Sequence, residues 1–120
     1  NSLYKGIRKA KAGNKLSEIS KEIEDSLKEY SIPLEFGGHG IDRNKLHSDP
    51  FVPNIPDYDD DIRLQPGMIF AIEPMAIDGS QNVSVAENRW DIVADGNTSH
   101  WEHTILVTED EPIILTQEQV

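Results

Sequence analysis

No cysteine occurs anywhere in the 120 residues, so neither a disulfide nor a zinc–thiolate centre can form, and any metal bound here is held by oxygen and imidazole. Basic residues are scarce: 11 Lys and Arg stand against 22 Asp and Glu, a formal net charge of −11. That balance argues against a nucleic-acid partner, because binding to that backbone rests on lysine and arginine at phosphate. Cations are the natural ligands instead. No apolar run approaches the roughly 18 residues that a membrane-spanning helix needs, and no signal-peptide pattern is present; the expectation is a cytoplasmic protein with no membrane association. Internal repeats and low-complexity segments are missing as well. A chain of this length fits one domain and buries roughly two thirds of the surface that its unfolded form exposes, enough for a core without staples. The first residue is Asn1 and a helical pattern starts at once, so a fragment of a longer protein is expected.

What is present reads as helices first and strands after. Leu3, Ile7 and Ala10 fall at helical spacing up to Gly13-Asn14, and Leu16, Ile19, Ile23, Leu27 and Tyr30 then recur every three or four residues. Ser17 is the expected N-cap of the second helix, with Glu18 in its first turn, and Ile32-Pro33 ends the run. Beyond it come Gly37, Gly38 and Gly40, a proline-rich connection with Pro50, Pro53 and Pro56, and a turn at Pro66-Gly67. Met68 to Ile72 is wholly apolar, as in a buried strand. Trp90 to Val93 and Trp101 to Val107 flank Asp95-Gly96, a hairpin signal, and Ile113 to Leu115 suits a short last strand. The fold class is α+β with a mostly antiparallel sheet.

Three polar groups sit in or beside apolar, strand-like sequence, where an unpaired charge is costly and normally neutralises or finds a partner. Strand alternation puts Glu73 on a face with Ile69 and Ala71; taken alone, it reads equally as a strand-end acid reaching solvent. Glu102 lies in the run from Trp101 to Val107, sharing a face with Thr104 and Leu106, and reads as a central strand acid in need of a partner or as the wet face of a half-exposed strand. His39 stands between two glycines, which permit a positive φ or a close backbone approach. His47, in Leu46-His47-Ser48-Asp49-Pro50, fits a surface turn. His100 and His103 point to opposite faces of a strand and lack the helical spacing of a zincin. The acidic run from Asp57 to Asp61 lacks the EF-hand pattern and reads as a solvated loop.

In this order, Gly38-His39-Gly40-Ile41, His47 to Pro50 with Val52, Leu64 to Met68, Ile72-Glu73-Pro74 and Glu102-His103-Thr104-Ile105-Leu106-Val107-Thr108 resemble the C-terminal half of type I methionine aminopeptidases, over nearly the whole chain. The resemblance implies half of a pita-bread fold, with residues 1–120 as the C-terminal part of a catalytic domain. The activity it implies is removal of the initiator methionine from nascent polypeptides. Carried over residue by residue, it makes His39, Glu73 and Glu102 metal ligands in a centre of two divalent ions (cobalt, manganese, iron or zinc). Glu102 bridges the ions and Glu73 doubles as proton shuttle. It makes His47 a catalytic contact to the substrate backbone, and Leu46, Trp90 and His100 part of the methionine pocket.

The chain departs from the family pattern at Asp42, which replaces a glycine, and in a segment from His39 to His47 that is one residue longer. The family's N-terminal half, with two aspartate ligands and a further histidine, has no counterpart, so the isolated chain is expected to be inactive and to need that half as a partner, along with a peptide N-terminus as substrate. Two alternatives stand beside this reading: a non-catalytic pita-bread binding module, and a prolidase-like hydrolase of the same fold.

Overall fold

The computed structural model describes residues 2–30, 32, 37–42, 45–78, 83–85, 92–94 and 97–116. Among these residues two helices, α1 (Ser2–Arg8) and α2 (Leu16–Ser26), precede nine strands. Leu3 and Ile7 of α1 and Leu16, Ile19 and Ile23 of α2 are buried, so the three-to-four-residue spacing of the apolar positions becomes one stripe facing the core. The second helix is shorter than its pattern: it stops at Ser26, Leu27 serves as C-cap, and Tyr30 is half exposed in the turns that follow.

Ser17 is not the N-cap. Lys15 holds that position, its N–H donating to the Glu18 carboxylate at 2.8 Å. Ser17 lies one turn position inside, where its N–H (2.9 Å) and hydroxyl (2.6 Å) both donate to the carboxylate of Asp61. An acid from a distant loop thus satisfies one of the free backbone donors of the helix start, and the Ile62 carbonyl beside it takes the Leu16 N–H. Burial pushes the Asp61 carboxyl up, but the two Ser17 bonds, the Ile62 N–H and the charge of Lys15 outweigh it and hold the group below the ordinary carboxylate range. The acidic run is therefore only partly a solvated loop: Tyr58–Asp60 forms a short 3₁₀ turn, and Asp61 is tied to α2.

The main sheet has five antiparallel strands in the order β2-β1-β3-β8-β9: β1 (Gly37–Asp42), β2 (Lys45–Pro53), β3 (Ile69–Ile72), β8 (His103–Leu106) and β9 (Ile113–Ile114). Pro50 and Pro53, expected in a connection, belong to β2. That strand is an edge of the sheet, where a residue without an N–H costs no ladder bond. Phe70, Ile72, Ile105 and Val107 share the buried cluster with the helix residues, so the helices cover one face of the sheet.

Two smaller ladders extend from it, β4 (Met75–Asp78) with β7 (Asn97–His100) and, nested between them in sequence, β5 (Val83–Val85) with β6 (Ile92–Ala94). Among the described residues, the runs expected to flank a hairpin at Asp95-Gly96 do not pair with one another: β6 pairs with β5, and β8 with β3 and β9. The flanking strands β6 and β7 pair with β5 and β4 and not with one another; Asp95 and Gly96 themselves lie outside the described residues. Among the described residues, no helix is long and apolar enough to cross a membrane.

Candidate metal centre

The β3–β8 ladder pairs Ile69 with Leu106 and Ile72 with His103, and the β4–β7 ladder pairs Met75 with His100 and Asp78 with Asn97. The register is the same on both sides of the gap, so the two ladders are one interrupted ribbon, with Glu73 opposite Glu102 and Pro74 opposite Trp101. Pro74 causes the interruption. The Trp101 N–H donates to the Pro74 carbonyl at 3.1 Å, but proline has no N–H to return the bond. Since hydrogen-bonded and non-hydrogen-bonded pairs alternate, Glu73 and Glu102 occupy a non-hydrogen-bonded pair, the type whose α-carbons lie closer, about 4.5 Å apart. Like charges directly opposite are destabilising. A cation between them reverses that sign.

The third donor comes from β1, which runs beside β3 with Gly40 opposite Phe70 and so brings His39 alongside Ala71. The two glycines around His39 serve close approach, not positive φ: a β-carbon on Gly38 would strike the Ala71 carbonyl, and one on Gly40 the Asp49 carbonyl. The His39 Nδ1 lies 3.1 Å from the Gly40 carbonyl oxygen, which only an N–H can satisfy. In a neutral imidazole this contact puts the proton on Nδ1 and turns the other nitrogen, Nε2, toward Glu73, the tautomer a metal ligand needs. That Nε2 is 3.8 Å from Glu73 Oε2, with both side chains 17% exposed.

One donor atom each from His39, Glu73 and Glu102 lies within 4.8 Å of the other two. One imidazole and two carboxylates form a borderline-to-hard donor set that suits manganese, iron, cobalt or zinc, and their convergence on one face fits a cation. Glu102 departs from its expected setting: it lies just ahead of β8, not in mid-strand, and is exposed. The Pro74 break places it there.

His100 shares this face through its pairing with Met75. Its Nε2 lies 3.8 Å from Glu73 Oε1, so Glu73 has an imidazole at each oxygen; His100 itself is 51% exposed. His103 turns to the helix side, with Nε2 3.2 Å from the Tyr4 hydroxyl and Nδ1 2.7 Å from Thr116 Oγ1. Leu46 and His47 lie in β2, but their side chains are outside the description, and Trp90 lies outside the described residues.

The sequence reading missed Asn54. It is 2% exposed and donates from Nδ2 to the Glu73 carbonyl at 2.8 Å. Its position directly after Pro53, in a connection otherwise read as plain loop, held no signal beyond its being polar amid Val52 and Ile55.

Residues 1–109 match the model of metallopeptidase family M24. Methionine aminopeptidase 1 of Bacillus subtilis is 42% identical over 120 residues, covering 97% of this chain and 48% of that protein. The methionine aminopeptidase of Borreliella burgdorferi is 40% identical over 121 residues, with the same two coverages, 97% and 48%. Among solved structures, methionine aminopeptidase from Thermotoga maritima superimposes with a TM-score of 0.89 at 36% identity, over 98% of this chain and 48% of that one. Prolidase from Pyrococcus furiosus gives 0.61 at 19% identity, over 99% of this chain and 30% of that one, a likeness of fold alone. The chain spans about half the length of the curated relatives it matches.

Proposed function

This chain belongs to metallopeptidase family M24, and from that premise we propose that residues 1–120 are the C-terminal part of a methionine aminopeptidase, removing the initiator methionine from nascent polypeptides in the cytoplasm once the other half of the pita-bread fold is joined to it. The observation that carries the reading is Glu73 directly across the ribbon from Glu102 with His39 in reach of both. A like-charged cross-strand pair with an imidazole beside it has no structural advantage without a cation. Relatives 40 and 42% identical over nearly the whole chain favour this activity over a prolidase-like one.

His39, Glu73 and Glu102 would hold the divalent ions, two of them on this reading. Such ions supply Lewis acidity at the scissile carbonyl and an acidified water at neutral pH. Glu73, flanked by His39 and His100, is the group that takes a proton from the attacking water and passes it to the leaving amine, the double role of a general base and acid. His47 contacts the substrate backbone beside the scissile bond. Leu46, Trp90 and His100 line the pocket for the methionine side chain.

Cobalt titration of the purified chain tests the reading. Saturable binding is expected, weakened at least about tenfold by each of His39→Ala, Glu73→Gln and Glu102→Gln, the loss typical of one ligand or its support. Equal binding by all three variants and the unmutated chain would overturn it.

A further inference from the structure

Among the described residues, Asn54 is the one buried side chain whose amide N–H is spent on the main chain of a candidate ligand. It is 2% exposed, and its Nδ2 donates to the carbonyl of Glu73 at 2.8 Å. Its Oδ1 is buried and finds no donor among the described residues. Burying an amide with half its capacity unused is unfavourable, and Val52 and Leu64 show what this layer of the molecule otherwise holds. The half that is used meets a specific need. Glu73 lies between β3 and β4 at the ribbon break, where Pro74 returns no bond to Trp101. The Glu73 peptide is held through the Asn54 amide in place of a neighbouring strand.

We propose that Asn54 is a positioning residue for the metal centre: by holding the Glu73 carbonyl it fixes the peptide plane from which the Glu73 carboxylate is aimed at His39 and Glu102. The inference rests on the metal-binding reading of that trio. Residues that orient ligands in this way govern affinity and coordination geometry, and their loss costs about 10- to 100-fold in metal binding.

The test uses cobalt with the full chain, because its visible absorption reports coordination geometry as well as occupancy. Asn54→Leu and Asn54→Asp both remove the amide donor, the second with little change in shape. Asn54→His returns an N–H, since Nδ1 of histidine sits about as far along the side chain as the asparagine amide. The expected result is cobalt affinity lowered about tenfold or more in the leucine and aspartate variants, altered visible bands at saturation, and recovery of both in the histidine variant. Thermal melting in chelator serves as the fold control. Unchanged affinity and bands in the leucine and aspartate variants overturn the proposal while leaving the trio intact. So does a loss that merely tracks a lowered melting temperature and is not rescued by histidine. Failure of the unmutated chain to bind cobalt overturns the metal-binding reading itself, and this inference with it.

Discussion

Gly38 passes so close to Ala71 that a methyl group on its α-carbon would overlap the Ala71 carbonyl. The contact is backbone against backbone, so no side chain can turn aside to relieve it. His39 comes within reach of Glu73 and Glu102 because β1 can lie this flat against β3 at Gly38. Gly38→Ala is therefore expected to cost about 3 kcal/mol, the upper end of ordinary overpacking, and to weaken cobalt binding as β1 is displaced. Urea unfolding and cobalt titration of the same sample measure the two effects.

Opposed Glu73 and Glu102 predict a sign change. In chelator, Glu102→Gln relieves a like-charge cross-strand pair and should leave the fold more stable by about 0.5 kcal/mol. With manganese at 100 times the unmutated chain's dissociation constant, that chain gains about 2.7 kcal/mol, and a variant binding about tenfold more weakly gains only about 1.4 kcal/mol. Melting curves with and without the ion should cross over. The same order of stabilities in both conditions would remove the cation from the explanation.

Asp61 sets an acid dependence. Its folded pKa lies below the ordinary value of about 3.9, so the charged form is favoured in the folded state. The stability it contributes is present above the unfolded pKa and is lost as pH falls through the folded one. Asp61→Asn should lower stability at neutral pH by about 1 kcal/mol, as loss of a helix cap does. It should also show a shallower decline below about pH 4. Urea midpoints from pH 7 to pH 3 give both quantities.

The proposed activity needs both halves of the fold. The purified chain with manganese or cobalt should show negligible turnover of a methionyl tripeptide, and addition or fusion of the missing half should restore it. In the restored enzyme, Glu102→Gln should remove more activity than His47→Ala. The latter should lose a factor of about 10² to 10⁴, as a positioned acid or base does, while retaining its metal by elemental analysis.

The helices were legible because their information is local: the spacing of Leu16, Ile19 and Ile23 states both period and buried face. What failed was local reading of long-range choices. Ser17 has the chemistry of a cap, but Asp61 arrives from 44 residues away and takes that role toward it. Asp95-Gly96 has the composition of a hairpin tip, yet β6 and β7 find other partners. For the candidate site, the motifs singled out His39, Glu73 and Glu102, one donor atom of each lying within 4.8 Å of the other two, and alternation gave each acid a face only within its own strand, Glu73 with Ile69 and Ala71 and Glu102 with Thr104 and Leu106. Their direct opposition depends on the register between strands, and the exposure of Glu102 depends on a proline in the opposite strand. Neither is written in the sequence around Glu102.

Pro74 takes one hydrogen bond out of the ribbon without shifting its frame. The proposed ligand carboxylates consequently ride on a short link with one cross-strand bond fewer, clamped at both ends, by Ile72 with His103 on one side and Met75 with His100 on the other. The Asn54 amide then carries, on the Glu73 main chain, the restraint that the ladder does not supply, so a change at Asn54 is felt at Glu73 before any core residue of β3 or β8 loses its partner.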